Sequence, residues 1–231
     1  MTADDYVRLF FGKSFTGKTS RMFYEVRNDK RVVGVDPKCG SLTKVEGWDH
    51  QWPFFDETEY LVTKRCRWLG TTFVDYFRKR LKQRFRVMIH LRNFHPQQLN
   101  MLCGLLMGVK HCTVAIDELG IFVPSGPPNA LPSLIQKAVI SGRHEGLRFL
   151  GTAQRPSFVH ATLRANASAM SFYRMTEKND LNVAKNYFPA QLGESLPSLP
   201  DHVCLEWSDN APAYRNESLV GRFLAPGEKK K

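Results

Sequence analysis

One turn constrains this chain more than any other feature. Tyr6-Val-Arg-Leu-Phe-Phe11 reads as a short buried strand. It runs directly into Gly12-Lys13-Ser14-Phe15-Thr16-Gly17-Lys18-Thr19-Ser20, and a helical pattern continues from Lys18 to about Arg27. Every fixed position of G-x-x-x-x-G-K-[ST] is met, in the strand–loop–helix setting that the pattern requires. Glycines let the backbone curl so that successive N–H groups converge on one anion. The new helix adds partial positive charge at its N-terminus. The spacing therefore predicts a cradle for the phosphates of a nucleotide, with Lys18 reaching the β- and γ-phosphates and the Thr19 hydroxyl ligating Mg²⁺.

A cradle alone only binds; hydrolysis needs a carboxylate to ready a water. Cys112-Thr-Val-Ala-Ile116 is a compact apolar run, the signature of a buried parallel strand, and it closes on Asp117-Glu118. Asp117 is expected to join Thr19 in holding the Mg²⁺, and Glu118 to orient and deprotonate the attacking water. A further strand, Leu147–Thr152, leads into Thr152-Ala-Gln154-Arg155-Pro156, where the Gln154 amide is placed to sense the γ-phosphate. Gly142-Arg143-His144-Glu145-Gly146 precedes that strand. A guanidinium at a subunit edge can stabilise phosphoryl charge in a neighbour's site. Arg143 is the candidate for that role, and Arg155, Arg164 and Arg174 are its rivals. No N-K-x-D occurs, so the base-reading motif of a GTPase is missing. The seven histidines are scattered, and none is assigned to a metal.

Around these motifs, strand-like and helix-like segments alternate. Arg31–Pro37 and Arg84–Arg92 read as strands, Pro96 to Gly108 as a helix, Leu131–Gly142 as another, Ala169–Met175 as a strand before a helix carrying Leu181, Ala184 and Phe188, and His202–Trp207 as the last core strand. This is the pattern of an α/β fold with a mainly parallel central sheet and helices on both faces. The 231 residues, 42% of them hydrophobic, are expected to form one domain over 1–231. Residues 38–83 would be an elaboration of it, and the basic tail 226–231 frayed. No apolar run approaches a membrane span, and the acidic start lacks the cationic-then-apolar order of a signal peptide. Five cysteines without a C-x-x-C pair read as reduced thiols rather than a zinc site or a disulfide framework.

The formal charge is +11. Between Lys64 and Arg92 ten cations face a single acid, Asp75, with Trp68, Phe73, Tyr76, Phe77 and Phe85 interleaved. Charge so concentrated is the footprint of a polyanion site, and Arg78, Lys79, Arg80 and Lys82 are its DNA-binding candidates. The loop Gly120–Pro128, which leaves the Asp-Glu pair directly, is a second candidate contact.

GKSFTGKTS (12–20), VAIDELG (114–120), SGRHEGLRFLGTAQRPS (141–157) and the Ala161-Thr-Leu-Arg-Ala-Asn166 segment, in this order, resemble the FtsK–HerA superfamily of DNA-pumping P-loop ATPases. The resemblance covers about 6–37 and 112–207; residues 38–83 match nothing in it. It implies a RecA-like P-loop fold and carries the roles of Lys18, Thr19, Asp117, Glu118, Gln154 and, less directly, Arg143. Within that superfamily the chain looks most like the genome-packaging ATPases of tailless, membrane-containing double-stranded DNA viruses, because its first strand begins about Tyr6 and leaves no room for the anchors or extra domains of the cellular members. The resemblance implies an ATP- and Mg²⁺-dependent homo-oligomer, a hexameric ring, that drives double-stranded DNA into a preformed capsid, with capsid vertex or portal proteins as partners. The host cytoplasm and the virion's packaging vertex are its expected locations. Two alternatives stay open: a DNA-processing or conjugation-type ATPase, and a nucleotide-dependent assembly or export factor that does not act on DNA.

Overall fold

A computed structural model describes residues 6–37, 50–52, 79, 83–90 and 96–216. The strands are β1 (Val7–Phe11), β2 (Arg31–Asp36), β3 (His50–Trp52), β4 (Phe85–His90), β5 (Cys112–Ile116), β6 (Leu147–Ala153), β7 (Ala169–Tyr173), β8 (Cys204–Ser208) and β9 (Ala211–Asn216). The helices are α1 (Lys18–Glu25), α2 (Pro96–Val109), α3 (Leu119–Phe122), α4 (Ser133–Ser141), α5 (Ala161–Ala165), α6 (Lys178–Ala184) and α7 (Ala190–Glu194). The strands form one sheet in the order β3-β4-β2-β5-β6-β1-β7-β8-β9. From β3 to β7 all neighbours are parallel; β8 and β9 turn back as an antiparallel hairpin. The fold class read from the sequence, a mainly parallel sheet with helices on both faces, is the observed one.

The placement of β1 explains its composition. All five of its residues are buried, because strands flank it and both faces are covered. Leu9 and Phe11 face a large core with Val114, Ile116, Phe149, Phe172 and the apolar sides of α2, α4 and α5. Phe10 faces the other way and packs with Met22, Phe23 and Val26 at α1, together with Val32, Met88, Ala115 and Leu150.

On that second face α1 is also tied down by charge. Glu206 of β8 accepts from Arg8 (2.9 Å) and Ser171 (2.8 Å), while Arg21 of α1 donates to Glu25 (2.8 Å). Arg8 and Arg21 each stand 3.9 Å from the other's carboxylate, which links the two pairs. At the far end of α1, Arg86 donates to the carbonyls of Val26 (2.8 Å), Arg27 (3.4 Å) and Asp29 (2.8 Å). These carbonyls lie where a helix runs out of internal donors, and a cation suits that end of the dipole.

This capping corrects one reading. Arg86 is 5% exposed and Phe85 is buried in the core, so neither belongs to an external polyanion footprint. Of the DNA-binding candidates, Lys79 is exposed; Arg78, Arg80 and Lys82 lie outside the described residues. Nearly all of the 38–83 segment and the 226–231 tail lie outside them too.

Other boundaries shift for identifiable reasons. α2 continues past Gly108 to Val109, and the chain leaves it through Lys110 and His111, both with left-handed backbone (φ 57° and 45°). α6 ends at Ala184, leaving Phe188 beyond it, still buried against the core. β9 extends the sheet beyond β8, the last core strand that the sequence pattern predicts. Its Ala-Pro-Ala-Tyr-Arg-Asn sequence has no apolar alternation, because only Asn216 is buried. Proline is tolerated there as it is on edge strands. Among the described residues no helix is long and apolar enough to cross a membrane. Burial pushes the Cys103 and Cys112 thiols up to about 12, so both are protonated at neutral pH.

Removing one partner of a buried ion pair strands the other. Glu206→Ala is therefore expected to lower the unfolding free energy by about 3–5 kcal/mol, read from urea unfolding curves.

Candidate functional site

Because β5, β6 and β1 lie side by side and parallel, the loops at their C-terminal ends share one edge of the sheet. That edge is where an open α/β sheet presents its ligands. It collects the glycine loop after β1, Asp117-Glu118 after β5 and Gln154 after β6. Gln154 thus follows a strand inserted directly between the strand of the loop and the strand of the acids.

The glycine loop is bound on both flanks. Gly12 N donates to the Ala153 carbonyl of β6 (3.3 Å), and Lys13 N to the Arg174 carbonyl just after β7 (3.1 Å). Inside the loop, the Thr16 hydroxyl (2.8 Å) and the Lys18 ammonium (2.7 Å) both donate to the Lys13 carbonyl. Gly17, the residue before α1, has φ 96°. A Cβ at Gly17 would stand 2.5 Å from Nδ1 of His202, so both backbone conformation and space require glycine. Ser14 is exposed, and Phe15, at the loop's tip with φ 64°, is 95% exposed. Ser20 follows Thr19 in the first turn of α1.

The acids are joined to the loop by an unbroken chain of short hydrogen bonds. Thr19 Oγ1 donates to Asp117 Oδ1 (2.7 Å), and Thr152 Oγ1 donates to the same oxygen (2.6 Å). The Thr152 hydroxyl in turn accepts from Glu118 N (3.1 Å), and Gln154 Nε2 donates to Glu118 Oε1 (3.1 Å). Glu118 itself has left-handed backbone (φ 52°, ψ 46°), a conformation that costs a residue with a side chain about 1–2 kcal/mol. The turn is over-determined by its surroundings. Gly151 of β6 lets α3 come close, since a Cβ there would meet Leu119 at 2.5 Å. Thr19, Asp117, Glu118 and Gln154 are thus joined through Thr152, and Lys18 adjoins Thr19 in the glycine loop.

Thr152 is the member that sequence reasoning missed. It looks like an ordinary strand threonine; only the pairing of β6 with β5 puts its hydroxyl between Asp117 and Glu118. His202 was missed as well, and its local sequence carries no signal for it. A Mg²⁺ ion prefers hard oxygen donors and keeps only one or two protein ligands beside phosphate and water. The Thr19 hydroxyl and the Asp117 carboxylate, in direct contact at the mouth of the loop, are such a donor set.

Arg143 does not join this group. It lies in the 3-10 turn Gly142–Glu145 before β6, at the N-terminal ends of the strands, and is exposed. The seven residues of β6 separate it from Gln154, about 20 Å at the usual rise of a strand. Its rivals are engaged elsewhere: Arg155 with Asp180 (2.9 Å), Arg164 with the Val159 carbonyl (3.2 Å) and Arg174 with Asp201 (2.7 Å). The loop after α3 is pinned by Ser125 N donating to the Phe158 carbonyl (2.7 Å) and His160 N to that of Val123 (3.0 Å).

Replacing Thr152 by valine keeps its volume and removes the hydroxyl. Thr152→Val is expected to lower the unfolding free energy by about 1–3 kcal/mol, because it leaves the Glu118 amide and the Asp117 carboxylate short of a partner, with Thr152→Ser restoring most of it. Urea unfolding curves read the effect.

No protein-family model and no curated protein matches the sequence. Solved structures do match. The genome packaging NTPase B204 from Sulfolobus turreted icosahedral virus 2, solved in complex with AMPPCP, superposes with a TM-score of 0.69 at 15% identity, covering 95% of this chain and 100% of that one. The DNA-packaging ATPase B204 from Sulfolobus turreted icosahedral virus gives 0.68 at 14% identity, over 94% of this chain and 98% of that one. The bacterial conjugative coupling protein TrwB gives 0.62 at 13% identity, over 92% and 84%. At these identities the likeness is one of architecture, and the architecture is that of the P-loop NTPases.

Proposed function

We propose that this chain is a ring-forming, Mg²⁺-dependent ATPase that moves double-stranded DNA, packaging a viral genome into a preformed capsid. The observation that carries the catalytic part is the hydrogen-bonded chain Thr19–Asp117–Thr152–Glu118–Gln154, which runs from the mouth of the glycine loop to a water-activating carboxylate. The packaging role rests on the motif order and on the architecture shared with viral packaging NTPases.

The chemistry follows from these positions. The backbone amides of Ser14–Thr19 face the phosphates, and the Lys18 ammonium exchanges the Lys13 carbonyl for phosphate oxygens. Bound Mg²⁺ would neutralise charge on the β- and γ-phosphates, with Thr19 and Asp117 as its protein ligands. Glu118 orients a water and takes its proton as the water oxygen bonds to the γ-phosphorus and the bond to the β–γ bridging oxygen breaks, giving ADP and phosphate. Gln154 exchanges Glu118 for the γ-phosphate and so reports whether the phosphate is present. Arg143 lies too far from its own Gln154 to act in cis and serves the site of the next subunit. Arg78, Lys79, Arg80 and Lys82 contact DNA phosphates, so binding is sequence-tolerant and salt-dependent. Capsid vertex proteins are the natural docking partners, and the packaging vertex and host cytoplasm the places of action. The likeness to TrwB supports one second reading, a conjugation-type DNA-transfer ATPase. Genomic neighbours encoding capsid proteins separate it from the first.

Two outcomes test the reading. Wild-type ATP hydrolysis is expected to rise on adding duplex DNA, and the stimulation to fade as salt is raised; Lys18→Ala is expected to lose turnover by at least about 100-fold. A flat response to DNA removes the motor, and wild-type activity in Lys18→Ala removes the site. Arg143→Ala is expected to lose about 1,000-fold in turnover when assayed alone. Mixed with Lys18→Ala it regains activity, because each variant supplies what its neighbour lacks. A mixture that stays inactive removes the trans role.

A further inference from the structure

The catalytic groups define which way a bound nucleotide must point. Asp117, Glu118 and Gln154 stand on the β5–β6 side of the glycine loop, so the γ-phosphate belongs there. A triphosphate seated in the loop then runs toward the opposite flank, and its sugar and base emerge over β7 and β8.

Three side chains stand on that flank. Arg174 follows β7 and Asp201-His202 precede β8. Both segments are fastened to the loop by backbone: Lys13 N donates to the Arg174 carbonyl (3.1 Å) and His202 N donates to the Thr16 carbonyl (3.2 Å). Arg174 Nη2 is held by Asp201 Oδ1 at 2.7 Å, and the two side chains remain 38% and 53% exposed. His202 has left-handed backbone (φ 68°), which a residue with a side chain adopts only where its surroundings impose it. Its ring puts Nδ1 against Gly17, which turns the opposite edge of the imidazole, with Nε2, away from the loop.

We infer that Arg174, Asp201 and His202 form the nucleoside wall of the site, against which the base and ribose of a nucleoside triphosphate lie. This rests on the ATPase reading above and adds the half of the ligand that reading leaves without a partner. The Arg174 guanidinium, fixed by Asp201, offers a planar cationic face for a base. The imidazole of His202 offers a second π-face and a ring nitrogen within reach of ribose hydroxyls. Because the wall touches the nucleoside and not the reacting phosphate, it binds ground state and transition state alike, so its loss appears mainly in KM rather than kcat.

The test uses the full chain and two ligands. His202→Gly removes the ring while accepting the left-handed backbone and keeping the amide that donates to Thr16. Arg174→Ala removes the guanidinium. Each is expected to raise KM for ATP about tenfold with a much smaller change in kcat, while calorimetric binding of inorganic tripolyphosphate, which reads the phosphate loop alone, stays at the wild-type level. Wild-type KM in both variants overturns the wall. So does equal weakening for ATP and tripolyphosphate, which would make these residues mere props of the loop. If the wild-type protein itself neither binds nor hydrolyses ATP, the ATPase reading falls and the wall with it; if wild type is active and the variants match it, only the wall falls.

Discussion

A single oxygen, Asp117 Oδ1, is the point on which the site turns. It accepts from Thr19 on the helix of the glycine loop and from Thr152 on the strand between loop and acids. Three chain segments far apart in sequence are thereby held to within one hydrogen bond of each other. Two donors on one oxygen hold the carboxylate in place. The Thr152 hydroxyl works in both directions, donating to one acid and accepting from the amide of the next. That is why Glu118 can hold a backbone conformation few glutamates adopt.

This polar cluster depends on a less visible one across the sheet. α1 must begin with Lys18 and Thr19 aimed at the mouth of the loop, and charge fixes its body and its C-terminal end. Arg21 and Glu25 are gathered with Arg8 and Glu206 beneath β1, β7 and β8, and Arg86 closes the C-terminus. Such pairs contribute little net stability once the cost of removing charge from water is counted, but they tolerate few arrangements. Their contribution is register: they settle where the helix lies on an otherwise apolar surface.

Much of the site was legible because its residues act through local physics. A glycine loop before a helix, acids closing an apolar run and an amide before Arg-Pro each carry their own explanation. What escaped needed the third dimension. Thr152 and His202 gain meaning only from the strand beside β6 and from the loop before β8. Arg86 counted as surface charge until its neighbours proved to be helix-end carbonyls. β9 was invisible because an edge strand exposed on both sides has no pattern to display. Arg143 was identifiable as a residue, yet its separation from its own Gln154 came from topology alone. The stretch 38–83 offered neither periodicity nor resemblance.

β6 has a mechanical consequence. One short, buried, doubly hydrogen-bonded strand carries Gln154 at one end and leads back to Arg143 at the other. Hydrogen-bonded to β1 on one side and to β5 on the other, it cannot slide past either neighbour without breaking a ladder. The span between its two ends is therefore a constant of the fold, and the turns it joins keep their spacing.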